Sequence, residues 1–100
     1  MVLEVATIDV KPGSEAAFAT AYQSVSDEVR TTPGCQWMRM TKGIESPSRF
    51  VLVVEWDSVE AHVKNFRSTD RFARWRAAIT PYFAAPPLVE HFTDVPASAG

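Results

Sequence analysis

Cysteine is almost missing. Cys35 stands alone, so no internal disulfide can form and the fold must be held by its core. No apolar stretch approaches the roughly 20 residues that a membrane-spanning helix needs. The N-terminus shows no basic region followed by an apolar core and a small-residue cleavage site, so a soluble, cytoplasmic protein is expected. Neither sign of charge dominates: ten basic and twelve acidic residues are scattered along the chain, without the basic stripe that nucleic acid binding requires. The sequence also lacks G-x-G-x-x-G, a P-loop, a G-x-S-x-G elbow and any Ser-His-Asp order. Nucleotide cofactors and nucleophilic hydrolysis are therefore not expected. The two histidines, His62 and His91, have no third ligand at a recognised spacing, so no metal is expected either. Internal repeats, low-complexity stretches and linkers are missing as well. Residues 1–95 read as one domain, and 96–100 as a small-residue tail that should fray.

What the chain does have is one stretch around which the rest is arranged, Phe50-Val51-Leu52-Val53-Val54-Glu55-Trp56. It is apolar almost throughout and rich in β-branched valine, the pattern of a strand buried on both faces. Asp57-Ser58 then supplies capping chemistry, and the spacing becomes helical through Val59, His62, Val63 and Phe66. A chain of 100 residues can cover one face of such a sheet with its own helices. A second copy of the chain is the economical cover for the other, so a homodimer through the sheet is expected.

The remaining elements follow in order. Val2 to Val10 reads as a strand, with Leu3, Val5 and Thr7 on one face and Val2, Glu4, Ala6, Ile8 and Val10 on the other. Lys11-Pro12-Gly13 ends it and Ser14 is placed to cap a helix, whose buried stripe is Phe18, Tyr22, Val25 and Val29. Pro33-Gly34 enforces a turn before a second strand, Cys35 to Lys42, with Cys35, Trp37, Arg39 and Thr41 expected to share a face. A short connection then gives a hairpin with the Phe50 strand. The helix after Asp57 runs to about Arg67, Ser68-Thr69-Asp70 restarts a cap, and Phe72, Trp75, Ile79 and Tyr82 or Phe83 form another stripe, broken by Pro81. Leu88 to Val95 is expected to be the last strand. The order β-α-β-β-α-β is that of an α+β, ferredoxin-like split βαβ domain with a four-stranded antiparallel sheet.

Val10-Lys11-Pro12-Gly13, Pro33-Gly34-Cys35, Gly43-Ile44-Glu45-Ser46-Pro47, Val54-Glu55-Trp56, His62, Phe66-Arg67, Phe72, Trp75-Arg76 and Val89-Glu90-His91 succeed one another in an order and spacing that resembles the antibiotic biosynthesis monooxygenase superfamily. The resemblance implies a dimeric α+β barrel with a ligand cavity between each sheet and its own helices. The family it resembles includes enzymes that oxidise polycyclic phenols or quinols to quinones with molecular oxygen and without metal or flavin, haem-degrading enzymes, and many proteins of unknown activity. Haem-degrading members look to an Asn, a Trp and a His at positions best matched here by Ala6, Asn65 and Arg76, so haem degradation is not expected.

His62 is the leading candidate for chemistry. Its spacing from Val59 and Phe66 puts it on the apolar face of its helix, and an imidazole with a pKa of roughly 6.5 suits a base near neutrality. A buried, hydrogen-bonded histidine with only a packing role is the alternative. His91 is expected to pack or to lie at a dimer interface. Phe66, Phe72 and Trp75 flank the break between the two short helices and are candidates to hold a flat aromatic ligand, with Trp37 and Tyr82 as further contacts. Arg39, on a face that reads as largely buried, needs a carboxylate such as Glu55, Glu4 or Glu90, or else binds an anionic form of the substrate. Arg67 and Arg76 are expected to be solvated or paired with Asp70 or Glu60. The reading favoured is a cofactor-independent monooxygenase acting on a polycyclic phenol or quinol. A binding or stress-response domain, or a non-oxidative isomerase, cyclase or decarboxylase using the same base, are the alternatives.

Overall fold

The computed structural model describes residues 1–99. Its elements run β1 (Val2–Asp9), α1 (Glu15–Arg30), β2 (Cys35–Lys42), β3 (Arg49–Trp56), α2 (Val59–His62) with a π-helical turn over Val63–Arg67, α3 (Asp70–Ile79) with a 3-10 turn over Thr80–Tyr82, and β4 (Leu88–Phe92). The sheet order is β2-β3-β1-β4 and every pairing is antiparallel. This is the ferredoxin-like arrangement expected from the sequence. β4 stops at Phe92, short of Val95, because β1, the strand it pairs with, supplies partners only from Leu3 to Thr7. Of the expected tail, 96–99 is exposed and without regular structure, and Gly100 lies outside the described residues.

β3 pairs on both sides, with β1 and with β2, and Phe50, Leu52, Val54 and Trp56 all point into the core. They meet Ala6 and Ile8 of β1, Phe18 and Val29 of α1, and Trp75 and Ile79 of α3. The tightest aromatic pair is Phe18 against Phe50, with ring centroids 4.7 Å apart. Between the helices, Arg74 donates from two nitrogens to the two carboxylate oxygens of Glu28, both at 2.9 Å. The opposite face carries Leu3, Val5, Thr7, Val51 and Val53 half-buried, flanked by exposed Trp37, Leu88 and Phe92. No helix among the described residues packs on it. No described helix is long and apolar enough to cross a membrane.

Local chemistry departs from expectation at three points. A bulge at Gln36 lets Cys35 pair with Trp56 and Trp37 with Glu55, so Cys35 turns to the core while Trp37 and Arg39 stay on the opposite face. Ser58 caps α2 as expected, accepting from the Ala61 N–H at 3.0 Å. Ser14 and Thr69 occupy cap positions without side-chain capping bonds, since Thr69 Oγ1 donates to the Phe66 carbonyl instead.

Gly34 holds the turn into β2 at φ +96°, where an added Cβ would stand 2.7 Å from the Ala61 Cβ; Gly13 has φ +92° and open space. Gly13→Ala should therefore cost about 1 kcal/mol from backbone conformation alone. Gly34→Ala should cost about 2 kcal/mol or more, because helix α2 must also shift. Urea unfolding of the two variants checks the difference.

Candidate functional site: a cavity with a buried carboxyl–imidazole row

A cavity of about 830 Å³ opens between the sheet and its helices, within the usual range for a small-molecule site. Ala6, Ile8 and Leu52 of the inner sheet face form its floor. Phe66, Phe72 and Trp75 form an aromatic wall, with Phe66 edge-on to both of the others at 5.6 and 6.4 Å. Phe83 and the segment 84–87 close the end, held by Val10 pairing with Phe83 and by the Ala84 N–H donating to the Asp9 carbonyl. Three expected aromatic contacts are therefore brought together. The other three candidates are not: Trp37 and Arg39 project from the opposite sheet face, and Tyr82 packs half-buried against the core outside the cavity wall. Arg39 is exposed rather than buried, and Glu4, one of its expected partners, lies on the other side of the sheet.

The π-helical turn explains which helix residues face the ligand space. Its wide turn, closed by the Ser68 N–H donating to the Val63 carbonyl at 2.9 Å, brings Arg67 round beside Phe66. Arg67 accordingly lines the cavity, with its guanidinium 5.6 Å from the centre of the Phe72 ring, and Arg76 lines it too. Both are exposed, the solvated alternative expected from sequence, and neither forms a salt bridge with Asp70 or Glu60.

His62 is buried, 2% exposed, at the end of α2, on the cavity wall. Its ring stacks on Trp56 at 4.9 Å and 15°. Nδ1 shares a 2.8 Å hydrogen bond with Nε2 of His91, and Nε2 lies 3.3 Å from Oε1 of Glu4. Trp56 Nε1 donates to the same Glu4 oxygen at 3.0 Å. Glu4 and His91 pair directly across β1 and β4, so His91 stands on the helix side of the sheet, away from the open face. Glu4 was legible as the one carboxylate on the inner face of β1; its meeting with both histidines follows only from strand register.

Burial pushes the His62 imidazole down to about 4, with the neighbouring His91 and Arg67 charges acting in the same direction. Burial raises the Glu4 carboxyl, against the Trp56 hydrogen bond and the Arg67 charge. Both shifts favour the uncharged forms of the two groups, because burial penalises a charge on either. Among the described residues, no group of three or more His, Cys, Asp or Glu side chains is placed to hold a metal ion.

The family model for antibiotic biosynthesis monooxygenase matches residues 1–78. The chain belongs to that family. Protein YczJ of Bacillus subtilis is 30% identical over 95 residues, covering 95% of this chain and all of YczJ. A Bordetella bronchiseptica structure assigned to the same monooxygenases superposes with TM-score 0.89 at 35% identity, covering 94% of this chain and 96% of that one. SnoaB, a cofactor-independent oxygenase from Streptomyces nogalater, shares the fold with TM-score 0.83 at 15% identity, covering 99% and 97%. The cavity in this chain lies on the helix side of the sheet that it shares with these proteins.

The depressed His62 pKa makes stability depend on pH with a definite sign. The unfolded chain takes up the His62 proton first as pH falls, so this contribution is complete above roughly pH 6.5 and is lost toward pH 4. Glu4 acts oppositely: its raised value adds stability at low pH that is lost as pH rises through the folded pKa. Between pH 7 and pH 5 the protein should lose about 2 kcal/mol more stability than its His62→Gln variant, in which Glu4 is retained. Urea unfolding of both at the two pH values measures this, and equal losses would contradict it.

Proposed function

We propose that this chain is a cytoplasmic, cofactor-independent monooxygenase that oxidises a polycyclic phenol or quinol with molecular oxygen. The observation carrying this reading is a buried imidazole set in an aromatic-walled cavity beside a carboxyl of raised pKa. The description of SnoaB as a cofactor-independent oxygenase, on the same fold, supports it.

The chemistry asks little more than such a site offers. Loss of a proton from an anthrone or hydroquinone produces an electron-rich anion that reacts with oxygen; an anthrone methylene and one O₂ yield a quinone carbonyl and water. The His62 cluster supplies the proton acceptor. Phe66, Phe72 and Trp75 hold the plane of the rings over the apolar floor of Ala6, Ile8 and Leu52. Arg67, whose charge reaches both Glu4 and His62, favours negative charge on a ligand oxygen placed near them.

The working unit in this reading is a homodimer. The open sheet face, with Leu3, Val5, Val51 and Val53 between Trp37 and Phe92, is an apolar surface that a second copy would bury. Sedimentation should report a dimer, and Val53→Asp should convert it to a monomer; a monomeric parent protein would contradict this.

Oxygen consumption with anthrone tests the activity. One O₂ should be consumed per quinone formed, and His62→Gln should lower the rate by about 100-fold. Turnover without oxygen uptake, or tight ligand retention with no turnover, would overturn the oxygenase reading.

A further inference from the structure

The row Glu4, His62, His91 runs from the cavity to the edge strand of the sheet, and its outermost member faces a different environment from the other two. Glu4 and His62 are buried and line the cavity, whereas His91 is half-exposed on β4 and takes no part in the cavity wall. β4 pairs only with β1, so its far edge is free. Within the row, Oε1 of Glu4 receives the Trp56 N–H and faces His62 Nε2. No side-chain hydrogen bond among the described residues involves Oε2. No buried, unpartnered side-chain oxygen or nitrogen occurs among them, so Oε2 keeps accessible surface, and Glu4 belongs to the cavity lining.

We propose that Glu4, His62 and His91 form a proton relay, in which Oε2 of Glu4 meets the ligand's acidic proton and His91 delivers it to solvent at the sheet edge. This rests on the oxygenase reading for the identity of the ligand, a phenol or a comparable carbon acid. In the resting row Glu4 is a carboxylic acid whose Oε1–H donates to His62 Nε2, and His62 Nδ1–H donates to His91 Nε2.

As the ligand's proton bonds to Oε2, the Oε1–H proton passes to His62 Nε2 and the Nδ1–H proton passes to His91 Nε2. The ligand keeps its electron pair as the anion, Glu4 and His62 end uncharged, and the positive charge appears on His91. Loss of the His91 Nδ1–H to water completes the transfer. Each carboxyl or imidazole accepts on one atom while releasing from another, so no imidazolium need persist beside Trp56, where burial opposes it.

The charged and titratable groups facing the row leave this polarity intact. Trp56 on β3 donates to Oε1 in either state. Arg67, on the π-helical turn, disfavours a proton resting on His62 and favours the ligand anion. Cys35 on β2 stands within electrostatic reach of Glu4, and burial holds its thiol up, hence protonated. Glu90, beside His91 in sequence, pairs with Val5 and belongs to the opposite sheet face.

The relay requires one tautomer of His62, and that can be read without any ligand. Long-range ¹H–¹⁵N correlation spectra of the ¹⁵N-labelled protein at pH 7 should show His62 protonated on Nδ1 and bare on Nε2. His62 protonated on Nε2, donating to an ionised Glu4, would overturn the relay. In kinetics, His91→Gln should slow anthrone oxidation by at least about tenfold with KM unchanged, and added imidazole should restore part of the rate. A rate equal to that of the parent protein would overturn the relay as well. If the parent consumes no oxygen with anthrone, the oxygenase reading fails while the tautomer measurement still decides the relay.

Discussion

β3 must bury Phe50, Leu52, Val54 and Trp56 on one face while pairing on both edges, and the rest of the molecule answers to that requirement. Because β3 sits between β1 and β2, helices α1 and α3 can reach its inner row only by lying side by side across the middle of the sheet. α1 covers the Phe50 end through Phe18, and α3 reaches Leu52 and Phe66 through Trp75 and Ile79. Toward β4 this cover runs short. The ligand space is what remains between the inner face of β1 and β4 and the segment from α3 through residues 80–88.

At the Trp56 end of the same row the core becomes polar. Burying a carboxylate and an imidazolium separately would be costly, and removing either partner's charge is the cheaper solution. Trp56, His62 and Glu4 meet this condition together: the indole gives Glu4 a hydrogen bond, its ring stacks on the imidazole, and both titratable groups are pushed toward neutrality. A site of this kind can exchange protons with a ligand without ever holding a full charge in an apolar wall. That property links the packing of β3 to the chemistry proposed for the cavity.

Much of the fold could be read from residue pattern because the pattern was local. The valine-rich run of β3, the Phe18-Tyr22-Val25-Val29 stripe and the Pro33-Gly34 turn each carry their own signal. His62, Phe66, Phe72 and Trp75 were legible as an inward set for the same reason. Trp37 and Arg39 were misplaced because one bulge at Gln36 fixes which side of β2 faces the helices, and alternation alone does not reveal a bulge. That Arg67, exposed as expected, also borders the cavity was not legible, because a π-helical turn shifts the phase of its helix. The Glu4–His62–His91 row joins residues far apart in sequence, and it exists only once β1 and β4 adopt their register.

The proposed chemistry requires an aromatic ligand to bind in the helix-side cavity and not on the open sheet face. A crystal structure of the protein with alizarin, a hydroxyanthraquinone that oxygen does not consume, tests this most directly. The rings should lie against Phe66, Phe72 and Trp75 with a phenolic oxygen within hydrogen-bonding distance of Glu4 Oε2. Alizarin seated instead on the open face against Trp37 and Arg39, with the cavity unchanged, would contradict it.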